Sequence, residues 1–227
     1  MSYRIVKVTS YYRDYLKQYY AAHKELGSLS YDQQHKHLME QAYGWSDFFA
    51  TNLQAIGVEA YEIVANADVL QHTWAKENGS KAFGKEIVLE QIKKLKPDVV
   101  FFQDSFLFNG DWITRLRKSV PSVKLSIGWC CTNYSKEHVE SFRAFDFFLV
   151  CSQTYVEEFT AHGLSTYELH HAFEKTLLPK IHDSNSCPES QFIFTGSIVP
   201  GTRGHNQRRD VLTNLVRSGV NVDIYAH

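Results

Sequence analysis

Short, continuously apolar segments that alternate with helical patterns constrain the fold of this sequence more than any other feature. Six segments have the character of strands, and they lie at 4–10, 59–64, 98–103, 123–129, 147–152 and 166–171. Runs such as Val99–Phe102 are apolar at every position, as expected of strands that are buried on both faces of a parallel sheet. The alternation predicts an α/β domain with a Rossmann-like open parallel sheet and helices on both faces.

The segments between these strands carry apolar residues at helical spacing. One stripe runs through Leu38, Ala42, Trp45, Phe49, Leu53 and Ile56. Its steps of three and four predict one long amphipathic helix, in which Gly44 is a point where the helix bends or breaks. A second stripe over 88–95 ends before Pro97, and 153–163 is typical of a helix that Gly163 terminates.

A polar segment interrupts this rhythm late in the chain. Residues 174–190 contain two prolines and a cluster of Ser, Asn and Asp, which indicates a linker. The sequence therefore predicts an N-terminal domain over 1–175, a linker over 176–190 and a further strand–helix–strand unit over 191–227. The two strands of that unit are predicted at Phe192–Thr195 and Val222–Tyr225.

Charge and apolar content exclude several classes of protein. The 24 Lys and Arg residues nearly balance the 25 Asp and Glu residues, whereas a sequence-independent nucleic-acid binder carries a basic excess. No run reaches the ~18 apolar residues of a membrane-spanning helix, and the first residues have a strand pattern rather than that of a signal peptide. The four cysteines suggest no disulfide framework, so we expect a cytoplasmic protein that is not integral to a membrane.

Candidate binding residues follow directly after the predicted strands. In an open parallel sheet, ligands bind outside the carboxyl ends of the strands. Hydrogen-bonding and aromatic side chains are frequent at these positions, and such a mixture holds sugars and other polar small molecules. The residues that we expect to contact a substrate are Tyr11, Tyr12, Gln103 and Trp129.

Asp104 is the carboxylate of greatest interest at these positions. It follows a buried strand and Gln103, and a carboxylate there can orient or deprotonate a hydroxyl group. The alternative is that Asp104 caps the helix that follows. His170 and His171 lie near the predicted linker and are further catalytic candidates, although a histidine near the end of a strand is commonly structural or merely exposed.

Neither the cysteines nor the first strand points to a metal or a dinucleotide. Cys130 and Cys131 are adjacent, whereas zinc ligands are commonly spaced by two to four residues, so we expect buried apolar cysteines and no metal centre. A Cys–His hydrolase has no local signature here. The first strand is followed by Ser10 and two tyrosines instead of a glycine-rich turn, which argues against a dinucleotide-binding domain.

The final strand–helix–strand unit has a pattern that suits phosphate. Gly196 and Ser197 follow a strand, and the helix after them would direct free backbone N–H groups at an anion. Basic or donor side chains in the loop and first turns are those of Arg203, His205, Arg208 and Arg209. The alternative is that Arg208 and Arg209 are solvated residues on the surface of the helix.

Taken together, these stretches resemble a GT-B glycosyltransferase of the CgeB-like type, related to glycosyltransferase group 1. The resemblance covers nearly the whole chain and rests on "VTSYYRDYLKQYY", "YDQQHKHLMEQAYGWSDFF", "KPDVVFFQD", "KLSIGWCC", "FRAFDFFLVCS", "LHHAF" and the "H..R…L..L" pattern of the tail. It implies that the first domain binds an acceptor and the second a nucleotide-sugar donor. It also implies that Gly196, Ser197 and Arg208 lie near the donor diphosphate, and that no metal or other cofactor is required.

The resemblance further implies that the tail is the first βαβ unit of a donor-binding domain that continues beyond His227. We therefore expect this chain to be a truncated enzyme that shows no glycosyl transfer alone, and one whose incomplete unit favours a homodimer. A function of a different class stays open beside this one, namely a non-catalytic α/β module that binds a ligand or a protein.

Overall fold

The structure is a computed structural model that describes residues 3–179, 192–199, 201 and 203–226, except for the side chains of 203, 204 and 226. The chain divides into two compact units, Met1–Phe173 and Glu174–His227. Most of the predicted linker, 176–190, lies outside the described residues, so the domain limits of the sequence analysis stay predictions.

The first unit is built on a six-stranded parallel sheet, as predicted. Its strands are β1 (Arg4–Thr9), β2 (Glu59–Val64), β3 (Val99–Phe102), β4 (Leu125–Cys130), β5 (Phe147–Val150) and β6 (Thr166–Glu168). They lie in the order β2-β1-β3-β4-β5-β6, and each neighbouring pair is parallel. Each of the six predicted strand segments overlaps one of these strands, which confirms the α/β fold class.

Eight α-helices of the first unit connect these strands. They are α1 (Arg13–Ala22), α2 (Tyr31–Glu40), α3 (Phe48–Ala55), α4 (Asp68–Glu77), α5 (Lys85–Leu95), α6 (Gly110–Ser119), α7 (Lys136–Phe142) and α8 (Gln153–Ala161). Several ends follow local chemistry. Ser30 and Gln33 form a capping box that starts α2, Asn109 accepts a hydrogen bond from the backbone N–H of Trp112 at the start of α6, and Lys96 in the left-handed conformation ends α5 before Pro97.

The single long helix predicted over 38–56 is wrong, because the chain turns sharply between α2 and α3. Ala42, Gly44 and Ser46 all have positive φ angles, of 53°, 59° and 40°. Right-handed helical backbone requires negative φ, so no continuous helix can pass through these three residues. The apolar spacing is real, but it belongs to two helices and the turn that joins them.

Helices cover both faces of the sheet. One face contributes Val8, Phe102 and Phe148 to the main hydrophobic core, which also contains apolar residues of α5, α6, α7 and α8. The opposite face carries Lys7, Glu62 and Phe101, and α3 packs there through the ring of Phe49. The sheet is therefore buried in the way that its continuously apolar strands predict.

The chain reverses its direction of progress across the sheet between β1 and β3. It passes from β1 to β2 on one side and then returns to β3 on the other side of β1. Such a reversal opens a crevice between the carboxyl ends of the two strands, and ligands of open α/β sheets bind in that crevice. Ser10 follows β1, and Gln103 and Asp104 follow β3, so all three lie at this point.

The second unit contains the predicted strand–helix–strand pattern. Its elements are β7 (Phe192–Gly196), α9 (Arg203–Arg217) and β8 (Val222–Ala226), and β7 pairs with β8 in parallel. Leu212 of α9 is buried. In the part of the chain that the structure describes, no helix combines the length and apolar character needed to cross a bilayer.

Candidate functional site

Asp104 lies at the reversal point with both carboxylate oxygens engaged. The hydroxyl group of Ser10 donates to its Oδ2, and the backbone N–H of Leu107 donates to its Oδ1 at 3.2 Å. Asp104 does not cap α6, since Asn109 does so, but it does hold the short turn that follows β3. The carboxylate therefore has a local structural role and stands where a ligand of the sheet is expected.

Gln103 joins the ends of β1 and β3. Its side-chain Oε1 accepts a hydrogen bond from the hydroxyl group of Thr9 at 2.9 Å, and its backbone N–H donates to the carbonyl of Val8 at 2.9 Å. These bonds fix the two strand ends relative to each other. Gln103 thus supports the position of Asp104, and its direct contact with a substrate stays a prediction.

The two predicted tyrosines occupy different environments. The ring of Tyr11 is buried among other tyrosines, with centroids 5.9 Å from Tyr15 and 5.3 Å from Tyr43, and burial raises the pKa of its hydroxyl group. The Asn66 side chain accepts from the backbone N–H of Tyr11 and donates to its carbonyl. Tyr12 is 69% exposed. Tyr12 is therefore the better placed of the two to contact a substrate.

A second group of side chains gathers at the carboxyl ends of β4 and β6. The ring of Trp129 lies 5.0 Å from that of Trp45 and 5.5 Å from that of His171, and Trp45 lies 5.9 Å from His171. The hydroxyl group of Ser105 donates to the carbonyl of Trp129 at 2.8 Å, which connects this group to the turn that Asp104 begins. Trp129 and His171 were predicted as site residues. Trp45 is a member of the apolar stripe over 38–56 and is not among the predicted site residues.

His170 points elsewhere. Its side chain is 83% exposed, and its Nδ1 lies 3.6 Å from a carboxylate oxygen of Glu168. The predicted pair of histidines therefore separates into His171, which packs against two tryptophans, and His170, which lies beside a carboxylate in solvent.

The expectation that the cysteines form no disulfide is wrong for one pair. Cys131 and Cys151 form a disulfide with their Cα atoms 5.7 Å apart, although they are 20 residues apart in the chain. They meet because each directly follows a strand, and the two strands, β4 and β5, are neighbours. Cys130 is a free, buried thiol whose pKa is raised by burial, which fits the interpretation as an apolar residue. Cys187 lies outside the described residues.

This disulfide also weakens one argument of the sequence analysis. The cytoplasmic prediction rested on cysteines without a bridge, and disulfides persist mainly in oxidising compartments. The cytoplasmic location therefore stays a prediction that cysteine usage no longer supports.

A buried ion pair that the sequence analysis missed lies beside Trp45. Lys7 and Glu62 are opposite each other on β1 and β2, with the Lys7 Nζ 3.1 Å from Oε2 of Glu62, and both side chains are almost fully buried. The ammonium group lies 5.5 Å from the ring centroid of Trp45. Burial is the main cause that lowers the pKa of Lys7 and raises that of Glu62 to about 7.

In the second unit, the loop after β7 is held by side chains of α9. The guanidinium of Arg208 donates to the carbonyl of Ser197 at 2.8 Å and lies over the ring of Phe194. Nδ1 of His205 is 2.9 Å from the same carbonyl. Gly196, with a φ angle of 151°, adopts a conformation that side chains disfavour. Arg208 is thus beside the predicted phosphate loop, while the side chain of Arg203 lies outside the described residues.

A cavity of about 380 Å³ lies beside the edge strand β2, away from the reversal point. Its lining includes Tyr31, Tyr61, Trp74 and Gln91. None of the predicted site residues lines this cavity, as far as the described residues show. The cavity therefore gives no support to the predicted site.

Comparison with known proteins adds no identity. No protein-family model matches the chain, and no curated protein matches it with significant similarity. Support for a function therefore comes from the residues and their arrangement.

Proposed function

We propose that this chain is part of a glycosyltransferase that transfers a sugar from a nucleotide-sugar donor to an acceptor. The observation that carries this proposal is the hydrogen bond between the Ser10 hydroxyl group and Asp104 at the reversal point of the sheet. In this bond the carboxylate accepts from a hydroxyl group, at the edge of the sheet where ligands of open α/β sheets bind, which supports the proposal.

The chemistry of glycosyl transfer matches this arrangement. An acceptor hydroxyl group must lose its proton as it attacks the sugar, and a carboxylate within hydrogen-bond reach can take that proton as a general base. Asp104 has this role in the proposal, and an acceptor hydroxyl group would share or replace the hydrogen bond of Ser10. Tyr12 and His171 are exposed close to the strand ends and supply surfaces for the acceptor.

The donor is assigned to the second unit. The start of α9 provides backbone N–H groups and the positive end of a helix dipole, which favour a diphosphate. Arg208 adds a guanidinium whose planar fork suits phosphate oxygens, and its bond to Ser197 keeps it beside the loop. In the proposal, Gly196 and Ser197, at the end of β7, lie beside the bound diphosphate.

The remaining parts of the proposal follow from the same assignment. The nucleotide-sugar is a substrate in the proposal, and the resemblance to GT-B enzymes implies a reaction that requires no resident metal or other cofactor. A cytoplasmic location and a homodimer belong to the proposal, and nucleic acid has no part in it.

One observation favours the alternative, a non-catalytic module that binds a ligand or a protein. Both carboxylate oxygens of Asp104 already have partners within the chain, and one of these bonds holds a turn. A residue that is satisfied in this way can be purely structural. The experiment on Asp104 below separates the two functions.

Asp104→Asn is expected to lower turnover by about 100-fold, because an amide cannot accept the proton of the acceptor. The thermal unfolding midpoint should change little, since the asparagine Oδ1 can still accept from Leu107. The measurement is release of nucleoside diphosphate by the intact parent enzyme that the resemblance implies, with a panel of nucleotide-sugars and simple sugar acceptors. Asp111→Asn, an exposed carboxylate in the first turn of α6, is the matched control and should retain full turnover.

Two results would contradict the catalytic role. If Asp104→Asn lowered the thermal unfolding midpoint strongly and turnover fell only because less protein was folded, Asp104 would be a structural residue. Binding of a sugar or nucleotide-sugar without transfer in any combination of the panel would favour the non-catalytic module.

Arg208→Ala is expected to weaken the affinity for nucleoside diphosphates by about one to two orders of magnitude. A hydrogen bond to a charged group contributes roughly 1.5–3 kcal/mol, and about 1.4 kcal/mol corresponds to a tenfold change in Kd. Titration calorimetry with UDP, GDP and ADP measures the effect, and Arg217→Ala at the far end of α9 is the control. An unchanged Kd would leave Arg208 with the loop-bracing role alone.

A further inference from the structure

Three potential metal ligands meet at the carboxyl ends of three neighbouring strands. Cys131 follows β4, Cys151 follows β5, and His171 lies just beyond β6. The two Sγ atoms and one ring nitrogen of His171 all lie within 4.8 Å of one another. The sequence analysis predicted no metal centre because it considered only the adjacent pair Cys130 and Cys131.

The backbone brings these residues together without any special loop. Cys130 is opposite Val150 in the register of β4 and β5, so the next residues, Cys131 and Cys151, are also side by side. The backbone N–H of Leu169 donates to the carbonyl of Val150 at 2.8 Å, which continues the pairing of β5 and β6 toward His171. The three positions are therefore set by the sheet itself.

The imidazole of His171 is held against two aromatic rings. It lies nearly perpendicular to the ring of Trp129, at 76°, and to that of Trp45, at 82°. These contacts restrict the orientation of the imidazole beside the two sulfur atoms. A ligand that is oriented before the metal arrives loses less conformational entropy on binding.

We propose that Cys131, Cys151 and His171 bind a thiophilic divalent cation, with Zn²⁺ as the best match, once the disulfide is reduced. Reduction by a thiol compound breaks the Sγ–Sγ bond, gives two cysteine thiols and joins two reductant molecules in a new disulfide. The cation then displaces the two thiol protons, which leave to solvent. Thiolate sulfur and imidazole nitrogen are the ligands that Zn²⁺ prefers.

The number of protein ligands determines whether the metal keeps an open coordination position. Three protein ligands leave the fourth position of a tetrahedral zinc ion open to water or to a small anion. Oxidation of the two thiolates to the disulfide removes two ligands, so the site exists only in the reduced chain. The proposal does not depend on glycosyl transfer, since metal binding by these three residues requires neither a donor nor an acceptor; His171 is the one residue that both proposals use.

The test is metal binding by the full chain, with no activity readout. The chain is reduced with a phosphine under anaerobic conditions and titrated with Zn²⁺ against a chromogenic chelator, and Co²⁺ is used as a spectroscopic probe. We expect one Zn²⁺ per chain and, with Co²⁺, a thiolate charge-transfer band with tetrahedral d–d bands. The oxidised chain should bind neither ion at the same concentrations.

Variants identify the ligands. Cys131→Ser and Cys151→Ser should each weaken Zn²⁺ binding by more than the roughly 10–100-fold that loss of an outer-shell partner costs. His171→Ala should also weaken it and should change the d–d bands while the charge-transfer band is retained. Cys130→Ala and Cys187→Ala are the matched controls and should retain binding of the same affinity.

Some of these variants could also fold less well, so a second measurement uses the unaltered chain. Bound Zn²⁺ should slow alkylation of Cys131 and Cys151, which mass spectrometry of peptides detects. The proposal is overturned if the reduced chain binds Zn²⁺ no more tightly than a Cys131→Ser, Cys151→Ser double variant. It is also overturned if alkylation of the two cysteines is unchanged by Zn²⁺.

Discussion

Replacing Lys7 by methionine is expected to lower the free energy of unfolding by about 3–5 kcal/mol at about pH 8, because it leaves the buried carboxylate of Glu62 without a counter-charge. The two side chains are 0% and 1% exposed, so water cannot take the place of the lost ammonium group. Methionine fills a similar volume, and the charge is therefore the main change. Urea unfolding measures the effect.

The cost of this substitution should depend on pH in a defined direction. Burial already raises the pKa of Glu62 to about 7, and Lys7 opposes that rise. Without Lys7 the folded-state pKa rises further above the unfolded value. A carboxyl group with a raised folded-state pKa contributes stability that is present at low pH and is lost as the pH rises through that pKa. Lys7→Met should therefore cost much less at about pH 5 than at about pH 8.

Two further variants complete this test. The double variant Lys7→Met, Glu62→Gln should recover most of the stability at about pH 8, because no charge remains buried and the glutamine Oε1 can still accept from the backbone N–H of Ala50. Arg115→Met breaks an exposed ion pair with Glu86 and should cost less than about 1 kcal/mol. A loss for Lys7→Met that is equal at both pH values would contradict the assignment of the effect to Glu62.

Phe148→Ala is expected to lower the free energy of unfolding by about 3–5 kcal/mol, because it removes a buried ring from the centre of the main core. Phe148 is 1% exposed, and its ring centroid lies 4.5 Å from that of Phe142 and 5.1 Å from that of Phe145. Phe83→Ala is the matched control. This ring is 76% exposed, and its loss should change stability by no more than about 0.5 kcal/mol.

The ring of Phe148 also explains a glycine in the neighbouring strand. A Cβ atom at Gly128 would lie 2.4 Å from the ring, which is closer than packed atoms approach. Gly128→Ala alone should therefore cost about 1–3 kcal/mol through overpacking. In the Phe148→Ala background the added methyl group should cost far less, since it enters space that the ring has left. Thermal and urea unfolding of the unaltered protein, the two single variants and the double variant would show this coupling, and additive losses would contradict it.

The strands could be predicted from the sequence because burial on both faces leaves a direct mark on composition. A parallel strand between two helix layers must be apolar at nearly every position, and Val99–Phe102 shows this clearly. The limits of the helices were harder to predict from the sequence. Apolar spacing gave no sign that Ala42 and Ser46 have positive φ angles, because that conformation arises from the turn that carries the chain back onto the sheet.

The candidate site could be predicted in part for a related reason. The carboxyl ends of parallel strands all lie at one edge of a sheet, so a residue that follows a strand can be assigned to that edge from the sequence alone. Asp104, which follows β3, was assigned to it in this way, and Trp129 was assigned to it as well but lies within the last residues of β4. The position of a residue does not give the direction of its side chain, however, and the ring of Tyr11 is buried among other tyrosines.

By itself, then, the sequence determined the strands, some of the helices, such as α5 and α8, and the edge at which polar side chains collect, since each depends on neighbouring residues in the chain. Only the tertiary structure decided which strands are neighbours and in what register. That choice depends on the packing of the whole domain, and it alone pairs Lys7 with Glu62, 55 residues away, and brings Cys131, Cys151 and His171 together. Neither the ion pair nor the cluster could be predicted from a local sequence pattern, because their members become neighbours only after the sheet has formed.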